Sequence, residues 1–132
     1  MKNRYFIIYG LLIAGLFLLW GCNKETNIVA PSGSTITVSA IPGTTVVAGN
    51  SVMVSAVVKD SNGNAMNGVG VRYTSSKPSV ASFSGGTAQI TQATDTSGVA
   101  TITVSTFATK IGSADITADI AGVSGSVTLK VE

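Results

Sequence analysis

The chemistry open to this chain is bounded first by two counts: it has no histidine and a single cysteine, Cys22. Without an imidazole no Ser-His or Cys-His couple can form, and the common nitrogen and sulfur ligand sets for zinc are missing with it. Carboxylates remain. Asp115 and Asp119 lie four positions apart, which on a strand puts them on one face but about 13 Å apart at ~3.3 Å per residue. A glycosidase pair needs roughly 5–9.5 Å, so both are expected to be solvated charges on an outer face. Asp60, Asn62 and Asn64 imitate the start of a calcium loop. The imitation ends at its sixth and twelfth positions, where such a loop needs Gly and Glu and this chain has Ala65 and Val71. A side-chain-capped turn is the expectation there. No Gly-rich phosphate loop opens a helix. The chain is therefore expected to be no enzyme, with no catalytic residue, no metal ligand and no cofactor beyond whatever Cys22 carries.

Aromatic stacking platforms for sugars are equally scarce. Beyond residue 21 the aromatics are Tyr73, Phe83 and Phe107. Tyr73 falls in the inward phase of its segment, and Phe83 reads as an edge or core residue. Phe107 is out of phase with Ala100, Ile102 and Val104. That leaves it either to plug an open end of the fold or to stand exposed as a contact.

The elements that must carry these residues divide at Cys22. Lys2 and Arg4 give a positive start, and residues 5–19 are apolar apart from Gly10 and Gly15, which is the layout of an export signal. An apolar run this short does not comfortably cross a ~30 Å hydrocarbon layer. Leu19, Trp20, Gly21 and Cys22 resemble the lipobox of bacterial lipoproteins, with Leu19 at minus three, Gly21 at minus one and the lipidated Cys22 at plus one. Trp20 departs from that pattern, which usually has a smaller side chain. The resemblance implies that residues 1–21 are a signal peptide and that Cys22 carries a thioether-linked diacylglycerol and an acylated amino group. One acyl chain binds a membrane marginally, whereas two or more hold it stably. Asn23 in place of Asp favours the outer membrane by the same resemblance.

Removal of the leader also removes Lys2 and Arg4, leaving six basic residues against six acidic ones. A neutral domain with scattered charges has no nucleic-acid footprint. Residues 22–34 read as the lipidated cysteine and a flexible tether, since Pro31 and Gly33 interrupt a stretch without alternation. Residues 23–34, fully extended, would reach roughly 40 Å.

From residue 35 to 132 the pattern alternates with period two and shows no helical stripe, the signature of strands. Inward phases are Ile36 and Val38; Val52, Val54, Ala56 and Val58; Val69, Val71 and Tyr73; Ala100, Ile102 and Val104; Ala114, Ile116, Ala118 and Ile120; and Val127, Leu129 and Val131. Residues 80–83 read as a short edge strand and 88–94 as a fourth strand with Ile90 inward. Asn, Asp and Gly gather at 60–64, 95–98 and 121–125, where turns need them. The expected fold is all-β, an immunoglobulin-like antiparallel β-sandwich of about seven strands.

The order of these pieces resembles the bacterial immunoglobulin-like domain of the invasin and intimin type. Val57-Val58-Lys59-Asp60 precedes Asn62-Gly63-Asn64, then Gly68-Val69 with Val71 and Tyr73. Thr94-Asp95, Gly98-Val99-Ala100-Thr101 and Gly112 with Ile116-Thr117-Ala118 follow. The resemblance implies a surface module, either adhesive or part of an assembly. In the immunoglobulin order the segments 41–50, 75–79 and 107–113 would share the end away from the tether. Lys77, Phe107 and Lys110 are the candidate contacts at that end. The functional expectation is a membrane-anchored, non-catalytic module of the cell envelope or surface that binds a protein partner. An adhesin or carbohydrate-binding lipoprotein is the alternative, disfavoured by the few aromatics.

Overall fold

In the computed structural model, residues 30–132 are described. The expected signal peptide and the positions Leu19, Trp20, Gly21 and Cys22 lie outside the described residues. Among the described residues nine strands form: β1 (Thr35–Ile41), β2 (Thr45–Val46), β3 (Ser51–Lys59), β4 (Gly70–Ser75), β5 (Ala81–Ser82), β6 (Gln89–Ala93), β7 (Val99–Thr106), β8 (Gly112–Ile120) and β9 (Val123–Val131). They build two sheets, in the orders β1-β3-β7-β5 and β2-β9-β8-β4-β6. Every pairing is antiparallel except that of β2 with β9. The molecule is an immunoglobulin-like sandwich.

Alternation explains which face each strand buries. Along β3, Val52, Val54, Ala56 and Val58 point inward while Ser51 and Met53 are exposed. Strand β7 repeats the pattern with Ala100, Ile102, Val104 and Thr106 buried between exposed Thr101, Thr103 and Ser105. Ile116, Leu129, Val54, Val71 and Val104 have no exposed surface, and burying each such side chain contributes about 1.5–3 kcal/mol. Antibody domains place a Trp on the third long strand against a disulfide between the sheets. Here β4 carries Tyr73, packed edge-on against Phe83 with ring centroids 6.5 Å apart.

Strand β2 has no counterpart among the expected strands, because its two residues carry no readable alternation, while β5 falls within the short edge strand expected at 80–83. The segment 88–94, expected as a fourth strand, forms β6 over Gln89–Ala93. As β6 it pairs with β4, and the short β5 is the strand that borders β7. The crossing is held where the Ser75 hydroxyl donates to the Ala81 carbonyl at 2.6 Å.

The last five residues of the expected tether, 30–34, begin and end buried on the domain, at Ala30 and Ser34, with Pro31, Ser32 and Gly33 exposed between them. Ala30 is buried in the core, and the backbone N–H and hydroxyl of Ser34 both donate to the Pro31 carbonyl, at 3.1 and 2.7 Å. Pro31 presents that carbonyl in a turn, and the closed turn fixes where the chain enters β1.

Candidate functional site

The registers divide the loops between two ends. Thr35 opposes Lys59, Val57 opposes Val99, and Arg72 opposes Asp119. The turns at 60–69, 94–98 and 121–122 therefore gather at the end where β1 begins. Two aspartates build this proximal end. One carboxylate oxygen of Asp60 accepts the backbone N–H groups of Asn62 and Asn64 at 2.8 and 2.9 Å, and the other accepts the Asn64 side-chain amide at 3.2 Å. Asp95 does the same for Ser97 and Val99, at 2.8 and 3.0 Å. The Asn64 backbone N–H, then its side chain, hold the Asp60 carboxyl below the usual carboxylate range. The group expected to cap a turn does so.

The acidic pair of β8 is likewise engaged. Asp119 takes Arg72 at 2.8 Å on the neighbouring strand, and Asp115 accepts the Thr128 hydroxyl at 2.6 Å. Each carboxylate serves the ladder beside it, on the solvent face.

At the opposite, distal end the segments 42–50, 76–80 and 107–111 come together. Lys77 is exposed, its carbonyl receiving the N–H groups of Val80 and Ala81 at 2.9 and 3.0 Å as the chain turns into β5. Phe107 and Lys110 bracket a turn closed by the Lys110 N–H on the Phe107 carbonyl at 3.1 Å. Phe107 is 42% exposed, so it stands at the surface and does not plug the sandwich. Lys77, Phe107 and Lys110 thus share one end.

Sequence reasoning missed four residues around them. The exposed large hydrophobics among the described residues are Ile41 at 52%, Val47 at 63%, Met53 at 48%, Phe107 at 42% and Ile111 at 74%. All five belong to the distal half. Ile41 opposes Met53 across the β1–β3 ladder, on the outer face. Val47 is tied to the Phe107 turn through Thr106, whose hydroxyl donates to the Asn50 carbonyl at 2.7 Å and accepts the Gly49 N–H at 3.0 Å. Gly49 itself approaches Ala108 so closely that an added Cβ would lie 3.2 Å from that side chain. The signal was phase: Ile41 falls in step with outward Thr37 and Ser39, Met53 with Ser51, and Val47 directly follows inward Val46. These exposed apolar side chains share the distal half with Lys77 and Lys110.

No protein-family model matches the chain, and no curated protein sequence matches it. Solved structures similar to it include S-layer protein SbsC domains 4 and 5, at 24% identity and TM-score 0.53, covering 74% of this chain and 53% of that one. A longer SbsC chain gives 26% identity and TM-score 0.54, covering 74% of this chain and 12% of its own. SbsC domains 1–6 give 27% identity and TM-score 0.52, again with 74% and 12% covered. The chain thus spans about half the first of these and about an eighth of the other two.

Proposed function

We propose that this chain is a non-catalytic lipoprotein of the cell surface, whose sandwich engages a protein partner within a surface assembly through its distal end. The observation that carries this reading is the gathering of Val47, Phe107, Ile111, Lys77 and Lys110 opposite the end at which residue 30 enters the domain. A chain held at residue 22 by lipid presents that end farthest from its anchor. The lipobox-like Leu19-Trp20-Gly21-Cys22 supports the anchor, and the likeness to S-layer domains supports a surface assembly. Asn23 supports the outer membrane as its site. The invasin-like order of turns agrees with a display module.

The partner contact is tested by placing a photo-crosslinking residue at Phe107 and, separately, at Thr96 of the proximal end, in the full chain in cells. A defined envelope or surface protein crosslinked from position 107 and absent from position 96 is the expected result. Equal crosslinking from both positions, or none from 107, rejects the distal contact. Mass spectrometry of the same preparations tests the anchor, since an unmodified Cys22 thiol would leave the chain without its lipid.

A further inference from the structure

We infer that β6 is a strand-pairing edge through which two copies of this chain join antiparallel, about a two-fold axis at Thr91. The inference is independent of the lipid anchor and of the distal contact. Four strands end the sheets: β1, β5, β2 and β6. Strands β2 and β5 are two residues long, and β9 closes on β1, with Gly125 so near the Ile36 carbonyl that an added Cβ would lie 2.9 Å from it. Strand β6 differs: it has five residues, Gln89, Thr91, Gln92 and Ala93 are exposed, and β4 is its one neighbour.

The register fixes which backbone groups are open. The Ser75 N–H donates to the Ala88 carbonyl at 2.9 Å, and the Thr94 N–H to the Val69 carbonyl at 2.9 Å. Bonded and non-bonded pairs alternate along an antiparallel ladder. Tyr73 with Ile90 and Val71 with Gln92 are therefore bonded pairs, and the N–H and C=O groups of Gln89, Thr91 and Ala93 point away from β4. Natural sheets guard such an edge with charge, proline or a bulge. The segment Gln-Ile-Thr-Gln-Ala has no charge and no proline, and its register with β4 is unbroken.

This edge fits itself. A two-fold axis at Thr91 sets Thr91 against Thr91 and Gln89 against Ala93, so each outward residue meets another outward residue. No like charges oppose each other, since the segment carries none. The axis stands perpendicular to the sheet, so the two domains run in opposite directions and their residue-30 ends lie at opposite ends of the pair. Copies on facing surfaces can join in this way, and copies on one surface must lie along it. A contact this small is weak and transient.

The test is sedimentation of the full chain in detergent across a wide concentration range, with amide exchange read residue by residue. Thr91→Pro removes an N–H that β4 does not use, and edge strands accept proline. Thr91→Lys puts like charges opposite each other at the axis. Both variants are expected to keep the parent melting temperature and to weaken dimerisation by more than about tenfold. Protection at Gln89, Thr91 and Ala93 should rise with parent concentration. A parent monomeric to millimolar concentration, or a dimer that survives both substitutions in folded protein, overturns the inference. A dimer lost on Phe107→Asp but kept in Thr91→Pro also overturns it, and places self-contact at the distal end.

Discussion

Gly98 shows how much one hydrogen atom in place of a side chain can decide. It closes the turn before β7 with a φ of +73°, and a Cβ there would meet the Val58 carbonyl oxygen at 2.6 Å, the Met66 nitrogen at 3.0 Å and the Ala65 Cα at 3.1 Å. All three atoms are backbone, so none can swing aside. Gly63 has a similar φ of +83° but open space around it. Gly63→Ala should therefore cost only the left-handed strain, about 1–2 kcal/mol. Gly98→Ala adds overpacking to the same strain, for a loss of about 2–5 kcal/mol. Urea denaturation of the two variants checks the difference, and equal losses would show that the crowding at Gly98 relaxes freely. That a glycine belonged in each turn was legible in the sequence. Which glycine touches a neighbouring strand was not, because the contact joins residues 40 positions apart, Val58 and Gly98.

The long strands were legible for a reason of the same kind. Period-two alternation is local, and it identified β3, β7 and β8 with their buried faces. Strand β2 has two residues, too few to alternate, and its place follows from tertiary pairing alone, whereas β5 lies inside the short edge strand read at 80–83. The braces at the strand ends were equally hidden. The buried Thr94 hydroxyl donates to the Met66 carbonyl at 2.6 Å and accepts the Val69 N–H at 2.9 Å, tying the end of β6 to the segment that leads into β4. Thr106 plays the matching part at the distal end, holding the strand-connecting segment 47–50 beside Phe107. Nothing in a Thr-rich sequence marks these two among the many threonines that face solvent. Thr94→Val keeps the shape but leaves the Met66 carbonyl and the Val69 N–H without the hydroxyl that joins them, and should cost about 2–4 kcal/mol. Thr103→Val, on the exposed face of β7, should shift stability by less than about 0.5 kcal/mol. Thermal melts of the two variants separate brace from surface. The candidate site was legible in part for the same reason. Loop order placed Lys77, Phe107 and Lys110 at one end, while Ile41, Met53 and Val47 needed the outward phase of their strands to be taken as seriously as the inward one.

Across the whole sandwich, the two sheets are joined through Tyr73. Its ring is buried on β4, and its hydroxyl donates at 2.7 Å to the carbonyl of Ala100 on β7, in the other sheet. Burial pushes its pKa from 10.0 up to about 12, because an interior phenolate would lose its hydration. Between those values an unfolded chain releases the proton and the folded one retains it. Stability therefore holds below pH 10, falls as pH rises through the window and levels off above 12, by about 2–3 kcal/mol in all. Lys130 contributes in the same direction, since the Glu132 carboxylate beside it raises its pKa and that attraction fades as the ammonium deprotonates. Tyr73→Phe separates the two. It removes the hydrogen bond between the sheets, for a loss of about 1 kcal/mol at neutral pH, and with it the tyrosine share of the alkaline slope. Denaturant midpoints followed from pH 8 to 12 should fall less steeply in Tyr73→Phe than in the parent. The same slope in both proteins would mean that the sandwich opens to water at Tyr73 before the hydroxyl titrates, and that the joint between the sheets is looser than its geometry implies.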